Sequence, residues 1–413
     1  MNPFEQKSIA VEKANIPQSK FYTKPYDKNS VSPFTKLRII LMNGTEFENI
    51  FFMHNFQRHC TNNDIRRELA LMRQQEQAQQ KRIGGLKPTD EGILEHTIAY
   101  EQLAIELTAI LAKREKDENV KMGLDFALLE DFDHLYRFSN LLHLEDEIDA
   151  TKLVAKQTEI MPARPTVSHH RHPNDNVRFY TDFKYANNQT KLNTMIITAA
   201  EQQTMNYYMN VSPLYKTDFG RKLFSEIGMV EEEHVTQYGS LIDPNSTMLE
   251  CLLMHEYVEC YLYWSCALDE TDPYVKQIWQ EHLEMELAHL HRVAEMLQKY
   301  EGKHYLQVLP DPTFPPPLTF GSNKEYVREK ITTANLTSFR ENYCLVNDLP
   351  KNADFFKFQD LFNKNLDKCP SHKVINMYID EYGEDFRYQD KEHPIADLRD
   401  RTTDNTCIGR CPK

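Results

Sequence analysis

The stretch EIGMVEEEHVTQYGSL, Glu226–Leu241, sets Glu231, Glu232, Glu233 and His234 inside an apolar-striped helical pattern. On a solvated face such charge costs nothing. On a buried stripe it restricts the fold severely, because a buried carboxylate is tolerated only when it is paired or holds a cation. Recurrence separates the two readings. Glu231-x-x-His234 is matched by Glu286-x-x-His289 in EMELAHLHRV and by Asp131-x-x-His134 in LLEDFDHLYRF. Thirty residues before each of these acids stands another: Glu201, Glu256 and Glu101.

The punctuation around these residues predicts six long helices. Helix A opens at Pro88 and Thr89 and runs to about 116, and helix B covers about 120–146. After a long connection, helix C covers about 190–211 and stops before Pro213. Helix D covers about 218–241, helix E about 246–269, and helix F begins at Pro273 and ends near Gly302. Proline is welcome in a first turn, which suits Pro273. Only 12 glycines in 413 residues fit a helix-dominated chain. Each triplet therefore sits on one helical hairpin: A/B, C/D and E/F. The fold class expected is all-α, a helical bundle over 88–300. It is preceded by an extended arm (1–33) and short helices (34–87), with TNND at Thr61–Asp64 as a helix start. A proline-rich linker, VLPDPTFPPPLTF, opens the C-terminal extension over 301–413.

Chance must be weighed. With 62 acids and 16 histidines, about 0.3 such triplets arise at random, a false-positive rate that a motif claim has to carry. Asp360, Asp390 and His393 also fit the spacing. His393 precedes Pro394, which disfavours helix there, so that triplet reads as coincidence. The other three lie on apolar stripes, since helix neighbours three, four and seven residues apart share a face. Glu101 shares its face with Leu94, Ile98 and Ile105, Asp131 with Leu124, Leu128 and Leu135, and Glu256 with Leu249, Leu252 and Leu253. Glu201 stands about ten residues before its turn and Glu231 about thirteen after. At ~1.5 Å per residue the two are level within about one helical turn. The same arithmetic serves the other hairpins.

Other features exclude or add little. The net charge of −14 disfavours nucleic acid and anionic membrane as partners. The N-terminal residues have no apolar signal region, and no run of apolar residues is long enough to span a bilayer. The eight cysteines form no CxxC pair, so reduced thiols and a cytoplasmic protein are expected. SHHRHP places His169, His170 and His172 on a loop, and MHNFQRHC holds His54, His59 and Cys60. Either group could bind metal, but nothing in the sequence fixes it. Tyr207, Tyr208, Tyr238, Tyr257, Tyr261 and Tyr263 cluster in sequence near the acids, where core packing with a hydroxyl handle is their commoner role. His96 and His282 read as structural.

Carboxylates mixed with imidazole suit iron, with manganese or zinc as alternatives. One Glu from each of two helices, with Glu-x-x-His from each of two others, is the ligand set of ferritin-like di-iron and di-manganese carboxylate proteins. Over about 88–300 this chain resembles that superfamily, whose members include rubrerythrin, manganese catalase and ferritin. The resemblance implies that Glu231 and Glu286 bridge metals, that Glu201 and Glu256 are terminal ligands, and that His234 and His289 complete the shell. Two hairpins suffice, yet three match, and Asp131 is shorter than its counterparts, with Glu130 as an alternative. Hairpins C/D and E/F could form the centre with A/B a degenerate copy. A/B and C/D could form it, or all three could build a larger cluster or two linked sites. The first is the arrangement favoured. The resemblance implies a metal-dependent oxidase, peroxidase or catalase-like protein reacting with oxygen or peroxide, with no catalytic residue beyond the ligands. The other class is a non-catalytic iron-storage or structural protein. Extensions at both ends suit a homo-oligomer.

Overall fold

The structure, a computed structural model, describes residues 1–164, 170–338, 340, 343–383 and 388–399. It is 67% helical with almost no sheet. The α-helices are α1 (Pro33–His59), α2 (Asn63–Gly84), α3 (Ile93–Arg114), α4 (Glu118–Asp146), α5 (Ala150–Leu153) and α6 (Asn188–Val211). They continue with α7 (Asp218–Gly239), α8 (Met248–Asp269), α9 (Pro273–Glu301), α10 (Lys324–Thr333), α11 (Asp354–Asn363) and α12 (Pro370–Tyr382). The described sheet is one antiparallel pair of two-residue strands, β1 (Thr337–Ser338) and β2 (Cys344–Leu345).

Helices A–F correspond to α3, α4, α6, α7, α8 and α9. Their ends follow from local chemistry. Side chains of Asp117, Thr217, Thr247 and Asp272 accept from backbone N–H groups in the first turns of α4, α7, α8 and α9. Such caps satisfy amides that have no partner within the helix. Helix α9 ends at Gly302, whose φ of 67° is the left-handed C-cap that glycine adopts freely. The TNND signal is real, with the Asn62 side chain accepting from Asp64 N and Ile65 N at the start of α2.

The expectation of short helices over 34–87 is corrected. Helices α1 and α2 span 27 and 22 residues. Helix α1 is buried continuously from Thr35 to Met42. A helix buried on all sides has no polar face, so its sequence lacks the amphipathic stripe that marks a long surface helix.

The chain divides into two compact units. The first comprises Met1–Glu91, Tyr180–Gln203 and Ile242–Phe320; the second comprises Gly92–Phe179, Thr204–Leu241 and Gly321–Lys413. In the first unit α1 packs on α2 and α8, and α9 packs on α8 and α2, which closes a four-helix bundle. The N-terminal arm lies on this unit's own surface. Phe4 stacks on Tyr305 at 3.8 Å between ring centroids, and Gln75 donates to the Val11 carbonyl at 2.7 Å. The proline-rich linker runs along α8, with the Tyr261 hydroxyl donating to the Pro316 carbonyl at 2.8 Å and the Tyr257 hydroxyl to the Pro312 carbonyl at 3.2 Å.

In the second unit α3 pairs with α4, and α7 packs on α4. The C-terminal extension supports them: α10 and α12 pack on α4, and α12 also packs on α7. Arg137 on α4 is held by Asp133 at 2.6 Å and donates to the Ser371 carbonyl at the start of α12.

Candidate metal centres

The second unit gathers Glu101 from α3, Asp131 and His134 from α4, and Glu231 from α7. One ligand atom from each lies within 4.8 Å of the others. All four are fully buried. Their convergence follows from helix geometry, since acid and His three residues apart project from one face. Glu231 lies between two imidazoles. Its Oε1 is 2.9 Å from His134 Nδ1 and its Oε2 is 3.1 Å from His234 Nδ1, which is also 3.4 Å from Asp131 Oδ1. Burial raises the Glu231 carboxyl, but His234 and His134 outweigh it and hold the group at about 2.

His234 is oriented from behind. Its Nε2 lies 2.6 Å from Glu130 Oε2, and its Nδ1 faces Glu231 and Asp131. Glu130, offered by the sequence as an alternative to Asp131, is thus the partner of His234. Its other oxygen accepts from Arg171 at 2.6 Å. Arg171 in turn reaches Glu233, through its backbone N–H at 3.2 Å and its guanidinium at 3.6 Å. The Tyr208 hydroxyl donates to Glu101. Burial and Glu101 push that phenol well up, so it remains a donor. Glu201 is buried on α6, seven residues before Tyr208 and on the same helix face.

The first unit gathers Glu76 from α2, Glu256 from α8, and Glu286 and His289 from α9. His289 Nδ1 is 2.8 Å from Glu76, 3.3 Å from Glu286 and 3.7 Å from Glu256. Its Nε2 lies 3.0 Å from Gln75 Oε1, so here too the rear nitrogen is held and Nδ1 faces the acids. Burial pulls the His289 imidazole down, but Glu286 and Glu76 hold it well above its ordinary value. A second group, Glu46, Glu76 and Glu259, shares Glu76 with the first. The Tyr263 hydroxyl donates to Glu46, and His282 Nδ1 stands 3.0 Å behind that hydroxyl.

All nine residues singled out by the sequence are buried. The favoured pairing of C/D with E/F is not the one found. Glu231 and His234 stand with Asp131 and His134, while Glu256, Glu286 and His289 stand with Glu76. The partner of E/F is α1/α2, which carries Glu46, Glu76 thirty residues later and Gln79 at the histidine position. A search for acid-x-x-His cannot find it, whereas the thirty-residue interval between acids could have.

The lesser histidines resolve separately. His170 is buried, stacks on Phe362 at 5.1 Å and has Nδ1 3.9 Å from Glu233. Burial pushes its imidazole down to about 4. It forms part of the wall of an ~880 Å³ cavity bounded by Met229, Leu361 and Phe362. His172 caps a turn by accepting from Asn174 N at 3.2 Å, and His169 lies outside the described residues. His54 and His59 are exposed and belong to no metal-holding group among the described residues. His393 keeps its Nε2 on the Pro162 carbonyl at 2.6 Å, in agreement with its reading as coincidence. The six described cysteines are free, and Cys407 and Cys411 lie outside the described residues. No described helix is long and apolar enough to cross a membrane. No protein-family model, curated protein or solved structure matches the chain.

Proposed function

We propose that the second unit is a ferritin-like redox module holding a dinuclear metal centre, iron foremost, with manganese as the alternative, that reacts with oxygen or peroxide. The observation that carries this reading is Glu231 between the Nδ1 atoms of His134 and His234, with Glu130 fixing the far nitrogen of His234. A carboxylate flanked by two imidazoles within a buried set of acids matches what a pair of transition ions requires. Glu101, Asp131, His134, Glu231 and His234 would hold the ions.

Two redox-active ions supply two electrons, enough to take oxygen to peroxide or peroxide to two waters. The chain's own residues set the conditions. Glu130 restrains the Nε2 side of His234, so that Nδ1 faces Glu231 and Asp131. Tyr208 keeps its proton on Glu101 and restrains that carboxylate. Arg171 offsets the charge of Glu130 and Glu233 behind the centre, so the ligands are not destabilised by unpaired acids. Apolar neighbours such as Leu128, Phe132, Leu135 and Phe138 exclude bulk water.

The test is anaerobic loading of the metal-free chain with Fe(II), followed by oxygen or peroxide. Oxidation that follows the added oxidant, visible as new ferric absorption and absent in Glu231→Ala, supports the reading. Bound zinc with no oxidation after iron or manganese reconstitution would assign the cluster to a structural use of metal.

A further inference from the structure

We propose that the first unit carries a second, chemically different cation site: Glu46, Glu76 and Glu259 hold a hard divalent cation of the manganese(II) class through oxygen atoms alone. This goes beyond the redox reading of the second unit and does not depend on it.

The argument begins with charge. Five carboxylates (Glu46, Glu76, Glu256, Glu259 and Glu286) are fully buried in one bundle. Among the described residues their one ion-pair partner is His289. One imidazolium cannot offset five acids in a medium where each uncompensated charge is costly. Hydrogen bonds do not complete the account. Oε1 of Glu76 faces His289 Nδ1 at 2.8 Å, while Oε2 of Glu76, Oε2 of Glu46 and Oε1 of Glu259 are buried without a hydrogen-bond partner. These atoms belong to the three residues whose ligand oxygens lie within 4.8 Å of one another.

The remaining polar groups hold these acids in place. Asn49 donates to Glu259 at 2.7 Å and to Glu256 at 3.2 Å, and Gln79 donates to Glu46 at 3.3 Å. Gln79 occupies the position where the other three hairpins have histidine, and its Oε1 is itself buried without a hydrogen-bond partner. The exchange of His for Gln removes a nitrogen donor. The presence of Glu259, three residues after Glu256, adds an oxygen donor on the same helix face. Both differences move the donor set in one direction. Carboxylate and carbonyl oxygens select magnesium, calcium and manganese, whereas imidazole favours iron, zinc and copper. Glu76, common to both groups, would be shared with a cation at Glu256, Glu286 and His289.

The test uses the full chain in a Glu231→Ala background, which disables the second unit's cluster. Metal-free protein is titrated with Mn(II) while the electron paramagnetic resonance signal of free Mn(II) is followed, and thermal unfolding is recorded with and without the ion. The expected result is retained Mn(II) binding, with a rise in Tm. Adding Glu46→Gln and Glu259→Gln should weaken binding at least tenfold, while leaving the metal-free chain as stable as before or more so, since two buried acids have been neutralised. If the double variant does not fold, Glu259→Gln alone serves the same comparison. Absence of Mn(II) binding in the Glu231→Ala background overturns the proposal, and so does unchanged affinity in the Gln variants. Loss of redox activity in the second unit would leave it standing.

Discussion

The EEEH sequence shows how neighbouring identical residues take different parts. Glu231 lies between two imidazoles, Glu232 is exposed, and Glu233 is buried against Arg171. The place of Glu233 on another side of the helix agrees with the two-residue offset, but the surface it meets is protein. Glu231→Ala or His234→Ala is expected to abolish metal retention in the second unit, as measured by metal content after dialysis. Glu232→Ala should leave both metal and stability within about 0.5 kcal/mol of wild type. Glu233→Ala should retain metal but lower the unfolding free energy by about 1–3 kcal/mol, read from the urea midpoint, because Arg171 loses one of its two acids. Glu130 provides a separate test. Glu130→Ala should cost about 10–100-fold in metal affinity, and Glu130→Gln should recover much of it, because the amide oxygen still accepts from His234 Nε2. Equal affinity in the two variants would mean that Glu130 does not orient the ring.

Helices were readable where they are amphipathic and capped, and obscure where they are not. The six central helices fall within a few residues of their expected ends, because Asp117, Thr217, Thr247 and Asp272 are caps visible in the sequence. Helix α1 escaped because its burial is all-round, and the fourth hairpin escaped because Gln79 stands where the motif has histidine. Which hairpins pair could not be read at all. Every hairpin has the same spacing, so the sequence holds no label for its partner. Helix α1 approaches α6 closely within the first unit. A Cβ at Gly44 would fall 2.7 Å from Gln203 Cβ and 3.3 Å from the Ala199 carbonyl. The helix axes must separate to admit a methyl group, so Gly44→Ala is expected to destabilise by about 1–3 kcal/mol, although alanine is the better helix former. A thermal midpoint unchanged or raised by Gly44→Ala would contradict so close an approach of the two helices.

At the scale of the molecule, two helical units each enclose buried acids, and the metal-free chain should therefore depend on pH in a defined direction. Glu106 gives a case outside the candidate ligands. Burial raises its carboxyl to about 7, against hydrogen bonds from Thr158 and Asn323 that pull it down. Unfolded, it titrates near 4.5. Between those values the folded chain binds the extra proton, so this contribution is complete below 4.5 and fades as pH rises through 7. Glu106→Gln should flatten this fall, leaving the chelator-treated variant more stable than wild type at pH 8 by on the order of a few kcal/mol. An unaltered slope would place the proton elsewhere. Bound metal should oppose the trend, because ligands must be deprotonated to coordinate and affinity rises with pH. Elemental analysis of wild-type and Glu231→Ala protein, purified without added metal, decides whether these buried acids hold metal. More than one transition-metal ion per wild-type chain and a clear loss in the variant are expected. Full occupancy in Glu231→Ala, or a wild-type chain that carries no metal and takes up none, would contradict metal binding by these acids.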